Sequence, residues 1–246
     1  PARIGATRFP AKPLALLRGE PMIVHVWRRA ASCPALAHTV VATDDEAIAA
    51  VVQAAGGEAV LTRADHASGT DRVAEVCARP EFRDFGAVVN VQGDEPAIDP
   101  RAIAAATAPV LAGEARIATL AYEETDPAAF ASPDAVKVVL DRAGDALYFT
   151  RAPIEGARAN SAFLRHIGLY AYERDTLLAF AALAPGPLER AERLEQLRAL
   201  WHGIKIRVVR TPHASRGVDT PADLAALERD WDQLTGGESP AKEPLR

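Results

Sequence analysis

The sequence predicts an α/β fold with a largely parallel sheet. Short β-branched runs alternate along the chain with longer segments rich in alanine and leucine, and turns containing Gly or Pro separate most of them. This alternation is typical of strand–helix–strand units, in which neighbouring strands run parallel. A chain of 246 residues is long enough for one large domain of this kind, with or without a small additional lobe.

The elements follow from hydrophobic periodicity and from turn residues. The predicted strands cover residues 39–42, 58–61, 88–91, 117–120, 136–140, 146–149, 166–172 and 204–209. The predicted helices cover residues 21–31, 44–55, 71–78, 101–111, 174–183, 188–201 and 222–234. Residues 1–12 have the character of a loop, so we expect a first strand ahead of Pro1. We further expect a single domain over residues 1–235 and a flexible tail over residues 236–246, which are polar and rich in Gly and Pro.

Composition excludes several classes of protein. The net charge of -5 argues against a general nucleic-acid surface, which needs a basic face. Two cysteines, Cys33 and Cys77, support neither a disulfide framework nor a Cys-based zinc site. No apolar run reaches the length of a membrane span and no signal-peptide pattern opens the chain, so we expect a cytoplasmic location and no membrane insertion.

The stretch AVVNVQGDEP ends a β-branched run in a polar tip that contains Gln92, Asp94 and Glu95. In an open α/β sheet, ligands bind at the carboxyl ends of strands, and a carboxylate held there can bind a divalent cation against a phosphate. Asp219, in RGVDTPADL, is a second candidate. The two aspartates could converge on one cation, or Asp219 could cap the following helix and the QGDEP tip could be a solvated acidic turn.

The opening segment PARIGATRFPAKPL carries three cations, Arg3, Arg8 and Lys12, close together. Their mutual repulsion would be relieved by an anionic ligand, and glycine allows backbone amides to approach a phosphate. The alternative is a solvated basic turn. The segment lacks the G-x-x-x-x-G-K-[ST] spacing of a Walker A loop.

A second loop, TRADHASGTDR, leads into a helix. Ser68 and Thr70 offer hydroxyls beside Gly69, which suits a polar or anionic ligand, and Arg72 follows. The same residues could be an ordinary helix cap, with Thr70 or Asp71 at the N-cap. His66 has no His or Cys partner at metal-ligand spacing, so we interpret it as a hydrogen-bonding residue.

A further polar set lies in the second half of the chain. It consists of Arg151, His166, Tyr170, Glu195 and Gln196. Strand alternation would place His166 and Tyr170 on one face, and Glu195 and Gln196 would lie off the apolar stripe of the predicted helix 188–201. Such helix carboxylates are usually only solvated, which is the alternative for this set.

Over its whole length the chain resembles the 3-deoxy-manno-octulosonate cytidylyltransferase family, also called CMP-Kdo synthetases. The resemblance is carried, in chain order, by PARIGATRFPAKPL, PMIVHVWRRA, VVATDDEAI, TRADHASGTDRVAEV, VVNVQGDEP, DAVKVVLD, ALYFTRAPI, LRHIGLYAY, LEQLRALWHG and GVDTPADL. Single motifs recur in related nucleotidyltransferases, whereas their joint order is specific to this family.

The resemblance implies a nucleotide-diphospho-sugar transferase fold: a Rossmann-like, mostly parallel mixed sheet flanked by helices, with a small dimerisation and sugar-binding subregion. It implies transfer of CMP from CTP to the anomeric hydroxyl of Kdo, with release of pyrophosphate, for lipopolysaccharide biosynthesis. It also implies Mg²⁺ as cofactor and a homodimer. No general base stands out, so we expect metal activation of the sugar hydroxyl.

The resemblance also assigns residues. Arg3, Arg8 and Lys12 would face the CTP phosphates, and Asp94 and Asp219 would hold magnesium; of these, Arg3, Lys12, Asp94 and Asp219 form the expected catalytic set. Ser68, Thr70, Arg72 and Gln92 would lie near the nucleotide or the adjoining sugar. The Kdo pocket would be lined by Arg151, His166, Tyr170, Glu195 and Gln196.

The chain departs from the family pattern at a few positions. Ala6 and Ala11 stand where the family commonly has serine and glycine, and the stretch between Arg151 and His166 is shorter than in many relatives. The alternatives are therefore a cytidylyltransferase for 8-amino-Kdo or a sialic acid, or a non-catalytic homologue. A dinucleotide-dependent dehydrogenase is set aside, because no G-x-G-x-x-G joins a strand to a helix.

Overall fold

A computed structural model describes residues 1–4, 9–154, 162–213 and 215–236. The strands are β1 (Leu16–Leu17), β2 (Glu20–Pro21), β3 (Val40–Thr43), β4 (Glu58–Leu61), β5 (Ala87–Asn90), β6 (Ile117–Glu124), β7 (Lys137–Leu140), β8 (Ala146–Thr150), β9 (Phe163–Glu173) and β10 (Arg207–Arg210). The helices are α1 (Met22–Ala31), α2 (Glu46–Ala54), α3 (Gly69–Cys77), α4 (Pro100–Leu111), α5 (Pro127–Ala131), α6 (Arg174–Ala181), α7 (Pro187–Glu192), α8 (Leu197–Trp201) and α9 (Pro221–Thr235). Short 3₁₀ helices span Lys12–Leu14 and Pro80–Phe82.

The chain forms two compact units. The first comprises Pro1–Arg83, Asn90–Ala104 and the described part of Ser215–Arg246, and the second comprises Asp84–Val89 and the described part of Ala105–Ala214. The prediction of one domain over residues 1–235 stays a prediction.

In the first unit, β3 and β4 pair in parallel, and Ala2 forms an isolated parallel bridge to Thr43 at the end of β3. One core packs α1 and α2 onto this region through Ile23, Val26, Val41, Ile48 and Val52. Apolar residues at helical spacing on α1 and α2 bury one face of each helix, which is why these segments are helical in the folded chain.

A second core of the first unit seats α9. Trp231 packs edge-on against His25, with the ring centroids 5.0 Å apart, and joins Leu17, Met22 and Val218 in one buried cluster. Val218 is fully buried and immediately precedes Asp219. The apolar anchor therefore fixes where the Asp219 loop leaves the core.

The second unit is built on a mixed sheet with the strand order β10-β6-β9-β7-β8, in which β5 also pairs with β9. β10 and β6 are parallel, whereas β6–β9, β7–β9 and β7–β8 are antiparallel. Among the described residues, no helix is long and apolar enough to span a membrane. The predicted α/β fold with a mixed sheet and flanking helices is confirmed.

Two sequence predictions are wrong. The predicted helix 188–201 is two helices, α7 and α8, because Arg193 takes a left-handed conformation (φ 54°) between them. The N-cap of α3 is Ser68, not Thr70 or Asp71, and Ser68 and Asp71 form a reciprocal capping box. Cys33 and Cys77 are both buried, and neither forms a disulfide.

Candidate active site

Two acidic loops of the first unit meet at one lysine. The Lys12 ammonium donates to Asp94 Oδ2 at 2.9 Å and to Asp219 Oδ1 at 3.2 Å. The convergence of the two aspartates, one of the two readings left open by the sequence, is therefore present. Asp219 is not the helix cap, because the Thr220 hydroxyl accepts from the Asp223 amide and caps α9.

Backbone and side-chain hydrogen bonds hold these two loops together. The Val218 amide donates to the Asp94 carbonyl at 2.9 Å, and the Ser215 hydroxyl donates to the Glu95 carboxylate. A Cβ at Gly93 would lie 2.7 Å from the Pro1 carbonyl oxygen, so only glycine fits at this turn. Glu95, named in the polar tip but given no role from the sequence, connects the Asp94 loop to the Asp219 loop through this contact.

Lys12 is directed at the aspartates by a tight turn. Ala11 adopts a left-handed conformation (φ 53°, ψ 26°) and precedes the 3₁₀ helix that begins at Lys12, while Pro13 is buried beneath it. The lysine side chain is 12% exposed, whereas those of Asp94 and Asp219 are 36% and 49% exposed. Ion pairs this accessible contribute modestly to stability, so another cation can replace the ammonium.

These residues line a pocket of about 280 Å³. Its wall also includes Arg3, Ser68, Arg72 and Gln92. The N-terminus of α3 forms part of the wall through Gly69, where the helix dipole and amide groups favour an anion. A pocket with this combination of a helix N-terminus, cations and two carboxylates suits a phosphate group with a bound metal ion.

Some predicted nucleotide residues have structural partners. Arg72 is 2% exposed, and its guanidinium pairs with Asp44 at 3.2 Å and donates to the Arg63 carbonyl at 3.1 Å. Thr70 is buried and accepts from Asn90 Nδ2 at 3.4 Å, and it does not line the pocket. Arg8 lies outside the described residues.

His66 also lines the pocket. Its Nε2 hydrogen-bonds the Glu75 carboxylate, as expected of a hydrogen-bonding residue. Burial works to raise the pKa of Glu75, but the hydrogen bonds from His66, the Arg63 amide and Arg79 outweigh it and lower the pKa. His66 is therefore held by a charged partner on the face of α3.

The donor set at Asp94 and Asp219 fits a hard divalent cation. Both supply carboxylate oxygens, which such cations prefer, and both already share one cation in the form of the Lys12 ammonium. No group of three or more His, Cys, Asp or Glu side chains able to hold a metal occurs in the described part of the chain. If these two carboxylates held a metal, the remaining coordination positions would go to nucleotide phosphates and water, which is a common arrangement for Mg²⁺.

In the second unit, Arg151 follows β8, and both its guanidinium and its backbone amide form hydrogen bonds. Its Nε donates to the Glu192 carbonyl and its Nη1 to the Pro133 carbonyl, each at 3.0 Å. Its amide donates to the Glu192 carboxylate at 2.9 Å. The guanidinium is half-buried and carries a fixed positive charge.

His166 and Tyr170 lie side by side on β9, with ring centroids 5.4 Å apart. A bulge places them opposite Ala121 and Thr119 of β6, so they share a face, as predicted. The Thr119 hydroxyl donates to the Leu169 carbonyl at 2.7 Å, so at 2.9 Å it accepts from His166 Nε2. This bond fixes the neutral imidazole with Nδ1 as an acceptor.

Burial shifts the pKa values of both His166 and Tyr170. Desolvation lowers the pKa of His166 to about 3, so the imidazole is neutral at physiological pH. Burial, with Tyr172 and Glu195 nearby, raises the pKa of Tyr170. The Tyr170 hydroxyl lies near Thr119 but is buried without a hydrogen bond of normal geometry to any described residue. It is therefore a buried polar atom whose hydrogen-bonding capacity the described residues do not use.

Glu195 and Gln196 lie in the break between α7 and α8, not on the exposed face of a continuous helix. Gln196 is 8% exposed. Arg198 makes a bidentate pair with Glu189 at 2.6 and 2.9 Å, and its Nη2 lies 3.8 Å from Glu195. The break therefore leaves the Glu195 side chain 26% exposed and Gln196 buried, instead of placing both on a solvated helix face.

The sequence analysis missed two residues beside Arg151. Lys137 is fully buried in β7, and Glu192 accepts three hydrogen bonds through its carboxylate. A lysine inside the apolar run AVKVVL is a signal that could have been noticed. Nothing in the local pattern around Glu192 distinguishes it from a solvated helix carboxylate.

Comparison with known proteins decides the family. A family model for cytidylyltransferases matches residues 1–206. A 3-deoxy-manno-octulosonate cytidylyltransferase from Solibacter usitatus is 48% identical over 93% of this chain and 91% of its own length. Another, from Syntrophotalea carbinolica, is 51% identical over 93% of this chain and 95% of its own length. The chain belongs to the 3-deoxy-manno-octulosonate cytidylyltransferase family.

The fold agrees with this membership. The solved structure of a CMP:2-keto-3-deoxy-manno-octonic acid synthetase complexed with CTP superposes with a TM-score of 0.86 at 42% identity, covering 95% of this chain and 96% of that one. The resemblance and the fold class inferred from the sequence motifs are thus confirmed. Membership makes the chain a nucleotidyltransferase of the cytidylyltransferase type, while the roles of individual residues remain predictions.

Proposed function

We propose that this protein transfers CMP from CTP to the anomeric hydroxyl of Kdo and releases pyrophosphate, giving CMP-Kdo for lipopolysaccharide assembly. The observation that carries the proposal is the meeting of Lys12, Asp94 and Asp219 in a pocket that also presents Arg3 and the N-terminus of α3. Cations for a triphosphate and two carboxylates for its metal ion are the groups that nucleotidyl transfer requires.

On the nucleotide side, Arg3 and Lys12, together with Arg8, would bind the phosphates and stabilise the charge that develops on the leaving pyrophosphate. Asp94 and Asp219 would hold Mg²⁺. When bound, Mg²⁺ would neutralise phosphate charge and lower the pKa of the attacking sugar hydroxyl. Ser68 and Gln92 line the same pocket and would contact the nucleotide or the adjoining sugar, while Arg72 would position the loop.

On the sugar side, Arg151 would pair with the Kdo carboxylate, and His166, Tyr170, Glu195 and Gln196 would bind its hydroxyls. His166 Nδ1 can accept from a hydroxyl because Nε2 is committed to Thr119. With a pKa of about 3, His166 is too weak a base to take the proton from the sugar hydroxyl at neutral pH. This low pKa supports a scheme in which His166 is not the general base.

The proposal includes two properties of the whole protein. CTP is a cytoplasmic metabolite, so the proposed reaction belongs in the cytoplasm. The proposed assembly is a homodimer, supported by apolar side chains on the β7–β8 surface of the second unit, where Val139 is 36% and Leu147 is 60% exposed.

The deciding experiment is pyrophosphate release from CTP with Kdo, 8-amino-Kdo or a sialic acid, each with and without Mg²⁺. We expect release with Kdo that depends on Mg²⁺. Preference for 8-amino-Kdo or a sialic acid would instead assign the alternative substrate, and no release with any sugar would support a non-catalytic homologue.

A variant pair tests the metal ligands. Asp94→Asn should lose at least about 100-fold in kcat with saturating Mg²⁺, because loss of one electrostatic group commonly costs 10²–10³. The matched control is Asp175→Asn, whose carboxylate is exposed and pairs only with Arg174 among the described ion pairs. Unchanged turnover of Asp94→Asn would contradict the assignment of Asp94.

A further inference from the structure

We infer that Glu192, with Lys137, is a positioning residue that fixes Arg151 for the carboxylate of the sugar acid. The inference rests on the proposed function, because Arg151 is the cation assigned to that carboxylate. Glu192 and Lys137 contact Arg151, so they would act on the proposed substrate through the arginine.

Glu192 is the last residue of α7, and it forms hydrogen bonds with residues at the end of β8 and with Arg151 just after it. Its carboxylate accepts from the Thr150 hydroxyl at 2.8 Å, from the Arg151 amide at 2.9 Å and from the Tyr148 hydroxyl at 3.1 Å. Its own carbonyl accepts from Arg151 Nε at 3.0 Å. One residue therefore fixes both the backbone and the side chain of Arg151.

The Glu192 carboxylate is ionised when it accepts these hydrogen bonds. Burial works to raise its pKa, but hydrogen bonds from the Arg151 amide, Thr150 and Tyr148 outweigh it and lower the pKa. Hydrogen bonds to an ionised acceptor are stronger than those between neutral groups. A strong, charged acceptor at this point restricts Arg151 more than a neutral one would.

Lys137 holds the other side of the same residue. Its side chain is fully buried in β7, and its ammonium donates to the Arg151 carbonyl at 3.1 Å and to the Ser132 carbonyl at 2.6 Å. Desolvation, followed by the neighbouring charges of Arg165 and Arg151, lowers the lysine pKa. Burial of a lysine beside two other cations is unfavourable. A role in holding Arg151 through these hydrogen bonds would account for it.

These contacts involve two of the three guanidinium nitrogens. Nε and Nη1 donate to the Glu192 and Pro133 carbonyls, whereas Nη2 makes no hydrogen bond to a described residue. Nη2 is therefore the nitrogen that would donate to the sugar carboxylate. Because Arg151 is fixed in advance, less side-chain entropy is lost on binding, and geometry of this kind controls rate as well as affinity.

The test measures KM for Kdo, KM for CTP and kcat in three variants, Glu192→Ala, Glu192→Gln and Lys137→Met. We expect Glu192→Ala to raise KM for Kdo by about 10- to 100-fold, since small displacements of a positioning group can cost that much. KM for CTP should stay within about twofold. Glu192→Gln, which retains an acceptor oxygen, should recover part of the loss.

A double-mutant cycle with Arg151→Ala shows whether the effect passes through the arginine. Contacting residues that act together are non-additive, so Glu192→Ala should add almost nothing in an Arg151→Ala background. The methyl ester of Kdo, which lacks the charge that Arg151 would bind, should be insensitive to Glu192→Ala. The matched control is Glu173→Gln, which also removes a carboxylate that accepts a threonine hydroxyl, from Thr176 at 2.7 Å, and should leave all constants unchanged.

Different outcomes would contradict the positioning role of Glu192 and the proposed function. Equal rises in both KM values, or full additivity with Arg151→Ala, would overturn the positioning role. If Glu192→Ala does not fold, as judged by circular dichroism, Glu192→Gln and Thr150→Val carry the same test. If the wild-type protein releases no pyrophosphate with Kdo, the proposed function itself fails.

Discussion

Lys12 contacts both of the carboxylates, Asp94 and Asp219, that we propose hold a divalent cation. Its ammonium contacts one oxygen of each carboxylate, and both carboxylates are partly exposed. The lysine thus keeps two like charges together when no metal is bound. A nucleotide that draws the ammonium to its phosphates would free both carboxylates for a metal ion.

Replacing Lys12 tests this exchange. Lys12→Met should bind Mn²⁺ about 2- to 30-fold more tightly than the wild type in the absence of nucleotide, because two partly exposed ion pairs worth about 0.2–1 kcal/mol each no longer compete. Mn²⁺ binding can be followed by electron paramagnetic resonance, independently of turnover. Lys205→Met, which removes an exposed lysine from Asp145, is the control and should not change Mn²⁺ affinity. Weaker binding in Lys12→Met would argue against the exchange.

His166 predicts a pH dependence of stability. Its pKa is lowered from 6.5 to about 3 in the folded protein, so the unfolded chain binds the extra proton first as the pH falls. This histidine therefore leaves stability complete above pH 6.5 and lowers it as the pH falls toward 3. At pH 5 the loss should be on the order of 1–2 kcal/mol.

Urea denaturation at pH 7.5 and pH 5 measures this loss. The difference between the two pH values should be smaller in His166→Gln than in the wild type. His25, whose pKa burial also lowers, contributes in the same direction, so some pH dependence should remain in the variant. An identical pH dependence in both proteins would contradict the assignment to His166.

At the residue scale, the sequence could predict the side chains that stand at strand and helix boundaries. Asp94 lies in the turn after the apolar strand β5, and Asp219 follows Val218 and precedes α9, and both patterns are visible in one sequence. Lys137 is marked in the sequence only as a lysine inside an apolar run, and the contacts of Glu192 and Lys137 with Arg151 span 41 and 14 positions of the chain. No local pattern carries such contacts.

At the element scale, the turn ahead of Lys12 carries backbone strain. Ala11 has φ 53°, a conformation that costs an L-residue roughly 1–2 kcal/mol and glycine nothing. Ala11→Gly should stabilise the protein by about 0.5–1 kcal/mol, because relief of this strain exceeds the added entropy of the unfolded chain. Chemical denaturation gives the free energy of unfolding directly.

Ala15 in the same segment provides the matched control. It has φ −59°, which any residue adopts, so Ala15→Gly should destabilise the protein by about 0.4–1 kcal/mol. The opposite signs of two Ala→Gly changes four positions apart would identify backbone conformation as the cause. Destabilisation by both would show that the turn at Ala11 is not strained.

The break between α7 and α8 shows where element prediction fails. Residues 188–201 have helical spacing and lack Gly or Pro, so the sequence favours one helix. Arg193 nevertheless takes a left-handed conformation, while Leu194 and Leu197 are buried and Arg198 pairs with Glu189. Tertiary burial therefore outweighs the local cost of a non-glycine residue at positive φ.

At the scale of the whole molecule, the alternation of strands and helices was sufficient to predict the fold class. Strand boundaries agree to within a few residues, since β-branched runs mark them. The antiparallel pairing of β9 with β6 and its bulge could not be read from alternation. At the bulge, the Thr119 hydroxyl donates to the carbonyls of Ile167 and Leu169 on the other strand, contacts that span 48 and 50 positions of the chain.

The proposed homodimer makes a prediction about the β7–β8 surface. Val139 and Leu147 expose apolar side chains on these neighbouring strands, and Val139 also lines a shallow groove of about 570 Å³ in the second unit. Apolar surface of this kind on a sheet is typical of sites where proteins associate. We expect a second copy of this chain to cover it, as the family resemblance implies.

Sedimentation velocity of the wild type and of the double variant Val139→Asp/Leu147→Asp tests this surface. The wild type should sediment as a dimer. The double variant should sediment as a folded monomer, because a carboxylate buried in an apolar interface without a partner costs several kcal/mol. Leu111→Asp, at a leucine equally 60% exposed at the end of α4, should remain dimeric. A dimeric double variant would show that the two copies associate through another surface, and a monomeric wild type would exclude the homodimer.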